Sequence, residues 1–407
     1  MKIDFTKEAL MPFLGHNNEV SSTHQNFTKQ IHLQASGSEL VMTTTDGTMW
    51  LRSCVDGITV QEQGSVSLVV QDLFKIVRGL PSEKVVSLGQ IPTEGEAGGL
   101  TMRIQYDSVE YDLNGDTGET FPGAKELKVP VCSVNVGELR TLLKHTYYAM
   151  AQKDVRHYLN GMKLEIAKDG DGIVAVAMDG HRMAFAEIAR EGEDDDSDQQ
   201  DLHWHFLLPS KSIQTLMNLL EGEDDEAVLE IFREDENVKD ISGGDQISMK
   251  IGKTVLVTRL IDADFPEFRH IIPKQDPEHS FDVDNKMLLE NIQRVALLSN
   301  TSPDNPTSVH FMSSSSDRLR MICNRDNTKE GAKTELDITW TSGPGELRIR
   351  YNIQYIKDAL SAIPEAQDVL VRFSVFGNDL ASRLEQVAPD PSPASLRAFC
   401  LVMPLRN

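Results

Sequence analysis

The sequence predicts an α+β fold made of three tandem copies of one domain, each with two helices packed on antiparallel sheets. Three observations predict it. First, a short amphipathic helix, a turn and a strand recur as "QDLFKIVRGLPSEKVVSLG" from Gln71, "SKSIQTLMNLLEGEDDEAVLEIF" from Ser210 and "IQYIKDALSAIPEAQDVLVRF" from Ile353. Each has apolar residues at i, i+3, i+4 and i+7, followed by strand alternation. With Leu73, Ser212 and Tyr355 taken as equivalent, the period is about 140 residues, the length of a whole domain rather than of a solenoid turn. Second, other elements recur in the same order. Third, strands such as "TMWLRSCV", "GMKLEIA", "TVLVTRLI" and "GELRIRYN" alternate apolar and polar residues, as antiparallel sheets with one solvated face do.

Within each copy the order is helix, several strands, helix, several more strands, with about eight strands per copy. The opening helix reads "TKEALMPFLGH", "NVGELRTLLKHTYYAMA" and "DNKMLLENIQRVALLSN". A strand-turn element follows as "ELVMTTTDGTMWLRS", "IVAVAMDGHRMAFAE" and, less faithfully, "RLRMICNRDNTKEGAKTEL". Closing turns near Phe121 and Phe265 mark the ends of the first two copies, so the domains are expected at 1–125, 126–267 and 268–407. Such an array leaves edge strands at both ends of the chain. Exposed edges are normally paired or covered, and closure against a second copy would do that.

Composition excludes several classes. With 407 residues, 40% hydrophobic and 25% charged, the chain is an ordinary globular one. Cys54, Cys132, Cys323 and Cys400 are far apart, with no CxxC pair and no His partner at metal spacing, so neither a disulfide framework nor a zinc site is expected. No secretory leader or membrane-length apolar run is visible, and the expected location is the cytoplasm. The net charge of −23 argues against holding nucleic acid by bulk electrostatics. The acid is clustered, in "REGEDDDSDQQD" (190–201), "EGEDDEA" (221–227) and "REDENVKD" (233–240), which read as solvated loops because a run of like charges repels itself.

A local basic surface therefore survives. The helices carry Lys75 and Arg78, then Arg140, Lys144 and His145, then Lys286, Arg294 and Lys357. The residues alone leave two readings open for them, the wet side of an amphipathic helix or a surface facing phosphates. The elbow "MAQKDVRHYLNGM" (150–162) adds Gln152, Lys153, Arg156 and His157 between apolar runs. Catalysis is not expected. Asp179 and His181 in "MDGHR" could pass for a base and its orienter, but Asp-Gly is more simply a hairpin turn, and no nucleophile elbow, Cys–His pair, phosphate loop or metal ligand set accompanies it.

Four blocks, "MAQKDVRHYLNGM", "MDGHRMA", "ADFPEFRHIIPK" and the terminal "VMPLRN", stand in order on this threefold repeat. Together they resemble the bacterial DNA polymerase III beta subunit, the replicative sliding clamp, over essentially the whole chain. The resemblance implies a head-to-tail homodimer ring around double-stranded DNA, without sequence preference. It also implies a non-catalytic processivity factor with no cofactor. Its partners would be a polymerase catalytic subunit, a clamp loader and other proteins carrying a short clamp-binding peptide. The peptide groove would be lined by Leu159, Gly180, His181, Arg182, Met183, Pro266, His270, Ile271, Leu401, Val402, Met403, Pro404, Leu405 and Arg406. The DNA-facing residues would be Gln152, Lys153, His157 and Tyr158 of the elbow, with Lys75, Arg78, Arg140 and Lys144 on helices; Arg156 would tie the elbow to its own domain. The dimer seam would set Val109 and Tyr111 against the partner's copy of Leu297 and Leu298. Met178, His270 and Asn407 stand where the family usually has Thr, Arg and Leu, and the first copy offers only His24 and Lys29 after its opening helix. These departures, with the 190–201 loop, point to a divergent member, such as a specialised clamp for one accessory polymerase or a mobile element. A three-domain scaffold that forms no ring is the remaining alternative.

Overall fold

The computed structural model describes residues 1–22, 25–92, 100–119, 121–168, 172–189, 202–234, 244–297, 307–314, 317–324, 331–363, 369–387 and 396–405. Copy one runs β1 (Lys2–Phe5), α1 (Lys7–Val20), β2 (Gln30–Ser36), β3 (Glu39–Thr45), β4 (Met49–Val55), β5 (Thr59–Glu62), β6 (Gly64–Val69), α2 (Val70–Gly79), β7 (Val86–Ile91), β8 (Leu100–Tyr106) and β9 (Val109–Asp116). Copy two runs β10 (Val129–Asn135), α3 (Val136–Thr146), β11 (Gly161–Ala167), β12 (Ile173–Met178), β13 (Arg182–Ile188), β14 (Leu202–Pro209), α4 (Ser210–Leu220), β15 (Val228–Arg233), β16 (Gln246–Ile251) and β17 (Thr254–Arg259). Copy three runs β18 (His279–Asp284), α5 (Asn285–Ala296), β19 (Ser308–Ser314), β20 (Arg318–Asn324), β21 (Gly331–Asp337), β22 (Thr339–Ser342), β23 (Glu346–Asn352), α6 (Ile353–Ser361), β24 (Leu370–Val375), β25 (Ser382–Val387) and β26 (Leu396–Val402). The order matches the sequence reading, with one addition. A strand precedes the first helix of every copy and pairs with the strand after the second helix: β1 with β7, β10 with β15, β18 with β24.

The helices are set by local signals. Thr6 and Asp284 cap α1 and α5, accepting from the backbone N–H of Ala9 (3.4 Å) and Met287 (2.7 Å), and Asn352 caps α6 by accepting from that of Gln354 (2.9 Å). The repeat is in better register one residue along from the sequence alignment. Leu73, Ile213 and Ile356 are all fully buried, whereas Tyr355 is only partly so. Buried Asn17 pins α1 to its sheet, its Nδ2 donating to Ser53 Oγ (3.3 Å) and its Oδ1 accepting from Thr44 Oγ1 (2.8 Å). Asn291 does the same for α5, accepting from Thr334 Oγ1 of β21 (2.8 Å). Buried amides satisfied in this way fix a helix on its sheet more narrowly than apolar contacts do.

One rule joins successive copies. The third strand of the first group takes the last strand of the next copy as an antiparallel partner: β4 pairs with β17, and β13 with β26. The residues accordingly gather into two compact units, 1–137 with 214–260, and 138–213 with 261–407, each holding one such seam. The first unit contains a thirteen-stranded sheet, the second a nine-stranded and a four-stranded one. Two strand edges that the rule would use stay open. Among the described residues β21 pairs only with β20, and Val109–Asn114 of β9 only with β8. No described helix is long and apolar enough to cross a membrane.

Candidate functional site

One face of the nine-stranded sheet carries an apolar patch across the β13–β26 seam. Side chains alternate along strands, so Met183 and Phe185 of β13 share a face with their ladder partners Leu401 and Phe399, and with Met178 and Val176 of β12. These six residues belong to one cluster with Ala151, Leu159, Val174, Phe268 and Ala381. Phe185 and Phe399 stack with centroids 4.8 Å apart, and Arg383 of β25 lies 4.5 Å above the Phe399 ring. The patch is flanked by ion pairs. Arg397 lies 3.9 Å from Glu187, Arg383 pairs with Glu385, and Glu165 of β11 meets Lys163 Nζ at 2.7 Å.

The segment linking copies two and three forms one wall. Phe268 is fully buried, 6.0 Å from Phe185. The next residue, Arg269, donates from Nη2 to Glu165 Oε2 at 2.7 Å. Burial alone would raise the Glu165 carboxyl, but His205, Arg269 and Lys163 outweigh that and hold it well below the usual range. With Phe268 and Arg269 fixed, Pro266 is left half-buried and His270 and Ile271 exposed beside the patch.

The opposite wall is the hairpin between β12 and β13 with the end of the chain. Asp179 Oδ1 accepts from the backbone N–H of His181 (2.9 Å) and Arg182 (3.0 Å), closing the turn at Gly180, whose φ of +91° favours glycine. A Cβ on Gly180 would lie 2.9 Å from the Arg156 guanidinium. His181 is exposed, its ring 6.2 Å from Tyr355, and its carbonyl accepts from Met403 N–H (2.9 Å). Leu405 N–H donates to Arg350 O (2.7 Å), so the last described residues are pinned along the groove, with Met403 exposed, Pro404 buried and Leu405 half-buried.

Two predicted groove residues have other work. Arg182 is a strut: its side chain is 10% exposed, pairs with Asp179 (3.0 Å) and Asp358 (2.5 Å), donates to Tyr148 O (2.7 Å) and stacks on Tyr355 (4.5 Å). Val402 points to the other face of its strand and packs in the core of copy three, with Cys400. Arg406 and Leu298 lie outside the described residues, as do His24, Asn407 and the 190–201 loop.

The elbow is a closed loop. Ala151 N–H donates to Leu159 O (2.9 Å), and Asp154 and Asn160 bond each other twice, at 2.8 Å each. Arg156 donates to Asp154 from Nε (3.0 Å) and Nη2 (2.9 Å) and reaches Asp179 O (3.4 Å), the tying role expected of it. The Arg156 hydrogen bonds draw the Asp154 carboxyl down to about 2. Gln152, Lys153 and His157 are exposed, with Lys153 in the left-handed region at φ 60°, whereas Tyr158 is half-buried against the apolar patch. On the helices Lys75, Arg78 and Lys144 are exposed and Arg140 is half-buried. His145 departs from expectation: it is 8% exposed, and burial lowers its pKa, so it offers no surface cation.

Comparison with known proteins agrees with this architecture. Residues 133–267 match the DNA polymerase III beta subunit central domain and residues 269–379 its C-terminal domain. The chain belongs to the DNA polymerase III beta subunit family. The beta sliding clamp of Vibrio cholerae is 28% identical over 375 residues, 92% of this chain and 90% of that protein, and that of Escherichia coli K12 is 26% identical over 376 residues, with the same coverage. The fold is that of the sliding clamp of Pseudomonas aeruginosa solved with griselimycin (TM-score 0.80, 24% identity, 100% of both chains) and of the Caulobacter crescentus clamp (TM-score 0.78, 23% identity, 100% of both chains). The protein is thus a divergent sliding clamp, a processivity factor and a non-catalytic accessory subunit of a DNA polymerase.

The candidate site contains residues that the motifs did not single out: Phe185, Phe399, Phe268, Glu165, Arg269 and Arg383. Phe185 and Phe399 were within reach of strand alternation, each two residues from a motif residue on the same face. The Glu165–Arg269 pair spans 104 positions, and no local pattern announces it.

Proposed function

We propose that two copies of this clamp join head to tail into a closed ring that encircles duplex DNA. The ring slides along the duplex and tethers its polymerase, its loader and other proteins through the groove at the β13–β26 seam. The observation that carries this reading is the seam rule. Copy one joins copy two, and copy two joins copy three, by the same pair of edge strands, and the matching pair, β21 and β9, is left open. A second copy satisfies both edges at once, as a two-fold assembly requires. The copies are proposed to be the domains 1–125, 126–267 and 268–407, working in the cytoplasm.

A ring holds DNA by topology, so it needs only weak attraction to phosphates, which suits an acidic chain with a few exposed cations. Gln152, Lys153 and His157 on the elbow and Lys75, Arg78, Arg140 and Lys144 on helices are the proposed DNA-facing groups. The groove suits short peptides: an apolar floor containing Met178, Met183 and two phenylalanines adapts to different ligands, and its rim carries polar groups. Light scattering across a dilution series at near-physiological salt tests the ring. A species of twice 45.4 kDa is expected, and Tyr111→Asp is expected to halve it. A monomer at every concentration would remove the topological mechanism and leave a three-domain scaffold.

A further inference from the structure

In copies one and two, the linker to the next copy lies over the same spot of the sheet. Strands β2, β11 and β19 each pair with the strand before the second helix, and those ladders make His32, Lys163 and His310 equivalent. The chain also leaves the last strand of each copy at one place: Asp116 pairs with Ser67, Ile261 N–H donates to Leu207 O, and Leu405 N–H donates to Arg350 O. Beyond that exit an aromatic residue of each linker covers the equivalent side chain. The Phe121 ring stacks on His32 with centroids 5.3 Å apart, and the Phe268 ring lies 5.6 Å from Lys163 Nζ. Both linkers carry carboxylates beside the aromatic residue, in "GETF" (118–121) and "DADFPEF" (262–268).

Among the described residues, copy three has the spot without the cover. His310 is opposite Arg350 and Met312 opposite Arg348, on the face of β19 and β23 that points away from the core residues Val309, Phe311, Ile349 and Tyr351. His310 and Arg350 are half-buried and Arg348 is exposed, with Met312 and Ile322 half-buried beside them. Among the described residues no ring stacks on His310, no carboxylate pairs with His310, Arg348 or Arg350, and the buried Arg350 Nε has no hydrogen-bond partner. Burial, and then the charges of Arg350 and Arg348, lower the His310 pKa, as cations facing one another without a counter-charge do. The other arginines of this face are engaged, Arg318 by Asp337 at 3.0 Å and Arg320 by Glu335 at 2.6 Å. Where copy three has Arg348 and Arg350, copy one has Ser65 and Ser67, and copy two has His205 and Leu207. In a chain of net charge −23, two unpaired arginines side by side are a local exception.

We propose that this face of copy three docks an acidic, aromatic-bearing segment of a partner protein, seated as the chain's own linkers are on copies one and two. The carboxylates of the segment meet Arg348 and Arg350, and its aromatic ring covers His310 as Phe121 covers His32. The face adjoins the proposed groove through Leu405, whose N–H is held by Arg350 O. It shares no side chain with the groove, and docking there requires neither the ring nor the groove.

Two observations favour a peptide over a nucleic-acid backbone. Polypeptide fills the spot in the other two copies, and Met312 and Ile322 offer apolar surface that an aromatic ring covers and a phosphate does not. Arginine pairs of this kind recognise acidic segments through short-range, salt-sensitive contacts. A partner holding both this face and the groove gains through effective concentration, so a weak contact here is enough to matter.

A fluorescent peptide with the second linker's own sequence, DADFPEF, is the probe. By anisotropy at low salt it is expected to bind the full chain weakly, and Arg348→Glu/Arg350→Glu is expected to weaken it at least about fivefold, since two attractions become repulsions. Arg348→Glu alone, at an exposed position, is expected to cost about threefold and carries the test if the double variant does not fold. Peptides with alanine for the phenylalanines, or amides for the carboxylates, are expected to lose as much as the double variant does. Lys75→Glu/Lys144→Glu makes the same change of net charge on two helices and is expected to leave binding unchanged, as is an excess of unlabelled clamp-binding peptide. Absence of binding, an equal loss in the two double variants, or displacement by the clamp-binding peptide overturns the proposal. Tighter binding of an oligothymidylate through the same arginines overturns it too, by making the face a nucleic-acid surface.

Discussion

The two seams within the chain have the same backbone and different surfaces. At the first, Asp46 Oδ1 accepts from the N–H groups of Thr48 and Met49 (both 2.9 Å), and Thr48 O accepts from Arg259 N–H (3.3 Å). At the second, Asp179, His181, Arg182 and Met403 make the same bonds. Their side chains differ throughout, and four of the differences change the surface most. Met49, Trp50, Arg52 and Val255 at the first seam stand where the second has Arg182, Met183, Phe185 and Phe399. At the first seam Trp50 Nε1 donates to Pro122 O (3.0 Å), and Phe121 stacks on His32 with centroids 5.3 Å apart. That linker is fastened over its seam by a tryptophan. At the second, Phe268 and Arg269 fasten the linker to one side of the buried apolar cluster of Met183, Phe185, Phe399 and Leu401. A repeated backbone thus carries a stacked-phenylalanine cluster, the proposed peptide groove, in one place and a tryptophan-fastened joint in another, and side chains decide which.

The largest expected effect comes from the fastening that only the second seam has. Glu165→Gln leaves Arg269 and Lys163 facing a neutral amide. Removing one partner of an enclosed pair costs about 3 kcal/mol or more, and because Arg269 is 41% exposed, water softens this to about 2 kcal/mol. The pH dependence has a definite sign. The Glu165 carboxyl lies below its ordinary value of 4.5 in the folded protein, so its contribution is fully present above that value and is lost as pH falls through the lower folded one. Denaturant melts at pH 7 and at decreasing pH should show the variant less stable at neutrality and the difference shrinking in acid. A gap that widens in acid would contradict the assignment of the clasp.

A smaller but more specific effect follows from converting the second seam to the first. Met183→Trp places the large ring of the Trp50 position over the groove floor. The affinity for a fluorescent peptide carrying a clamp-binding motif is expected to fall at least tenfold, with a stability cost of about 1–2 kcal/mol, since Met183 is only 2% exposed and the larger ring must displace its neighbours. Unchanged binding would mean that the peptide docks elsewhere.

The fold was largely legible because each copy repeats its own periodicities: helices at 3.6 and strands at 2 carry local signatures. The strand before each first helix was missed because β1 is only four residues long and β10 begins with a proline after its first residue. The alignment slipped by one residue in the second helix because Ser212 and Tyr355 are also largely covered, and only the ladders separate them from Ile213 and Ile356. The candidate site was legible where turns and the last strand carry motifs, and less so across the β13–β26 seam, where partners come from strands far apart in sequence. Arg182 was placed in the groove because an arginine in a motif reads as a ligand contact. Its three anchors, Asp179, Asp358 and the carbonyl of Tyr148, come from separate elements and make it a strut instead.

The smallest effect is the reverse conversion, Trp50→Met, and it shows which difference between the seams matters. The change removes the Trp50–Pro122 hydrogen bond and part of the cover over the first seam, at an expected cost of about 1–2 kcal/mol, modest because Trp50 is only half-buried. If the tryptophan alone closes the joint, the variant should gain a second peptide site per chain. The neighbouring side chains argue otherwise. Without Trp50 the outer face of the first seam presents Arg52 and Val255, a charged and a small residue, where the second seam has two stacked phenylalanines in a continuous apolar cluster. Calorimetric titration of Trp50→Met is therefore expected to keep one peptide per chain at unchanged affinity. A stoichiometry of two would move the decisive difference between the seams from the Phe185–Phe399 pair to the residue at position 50.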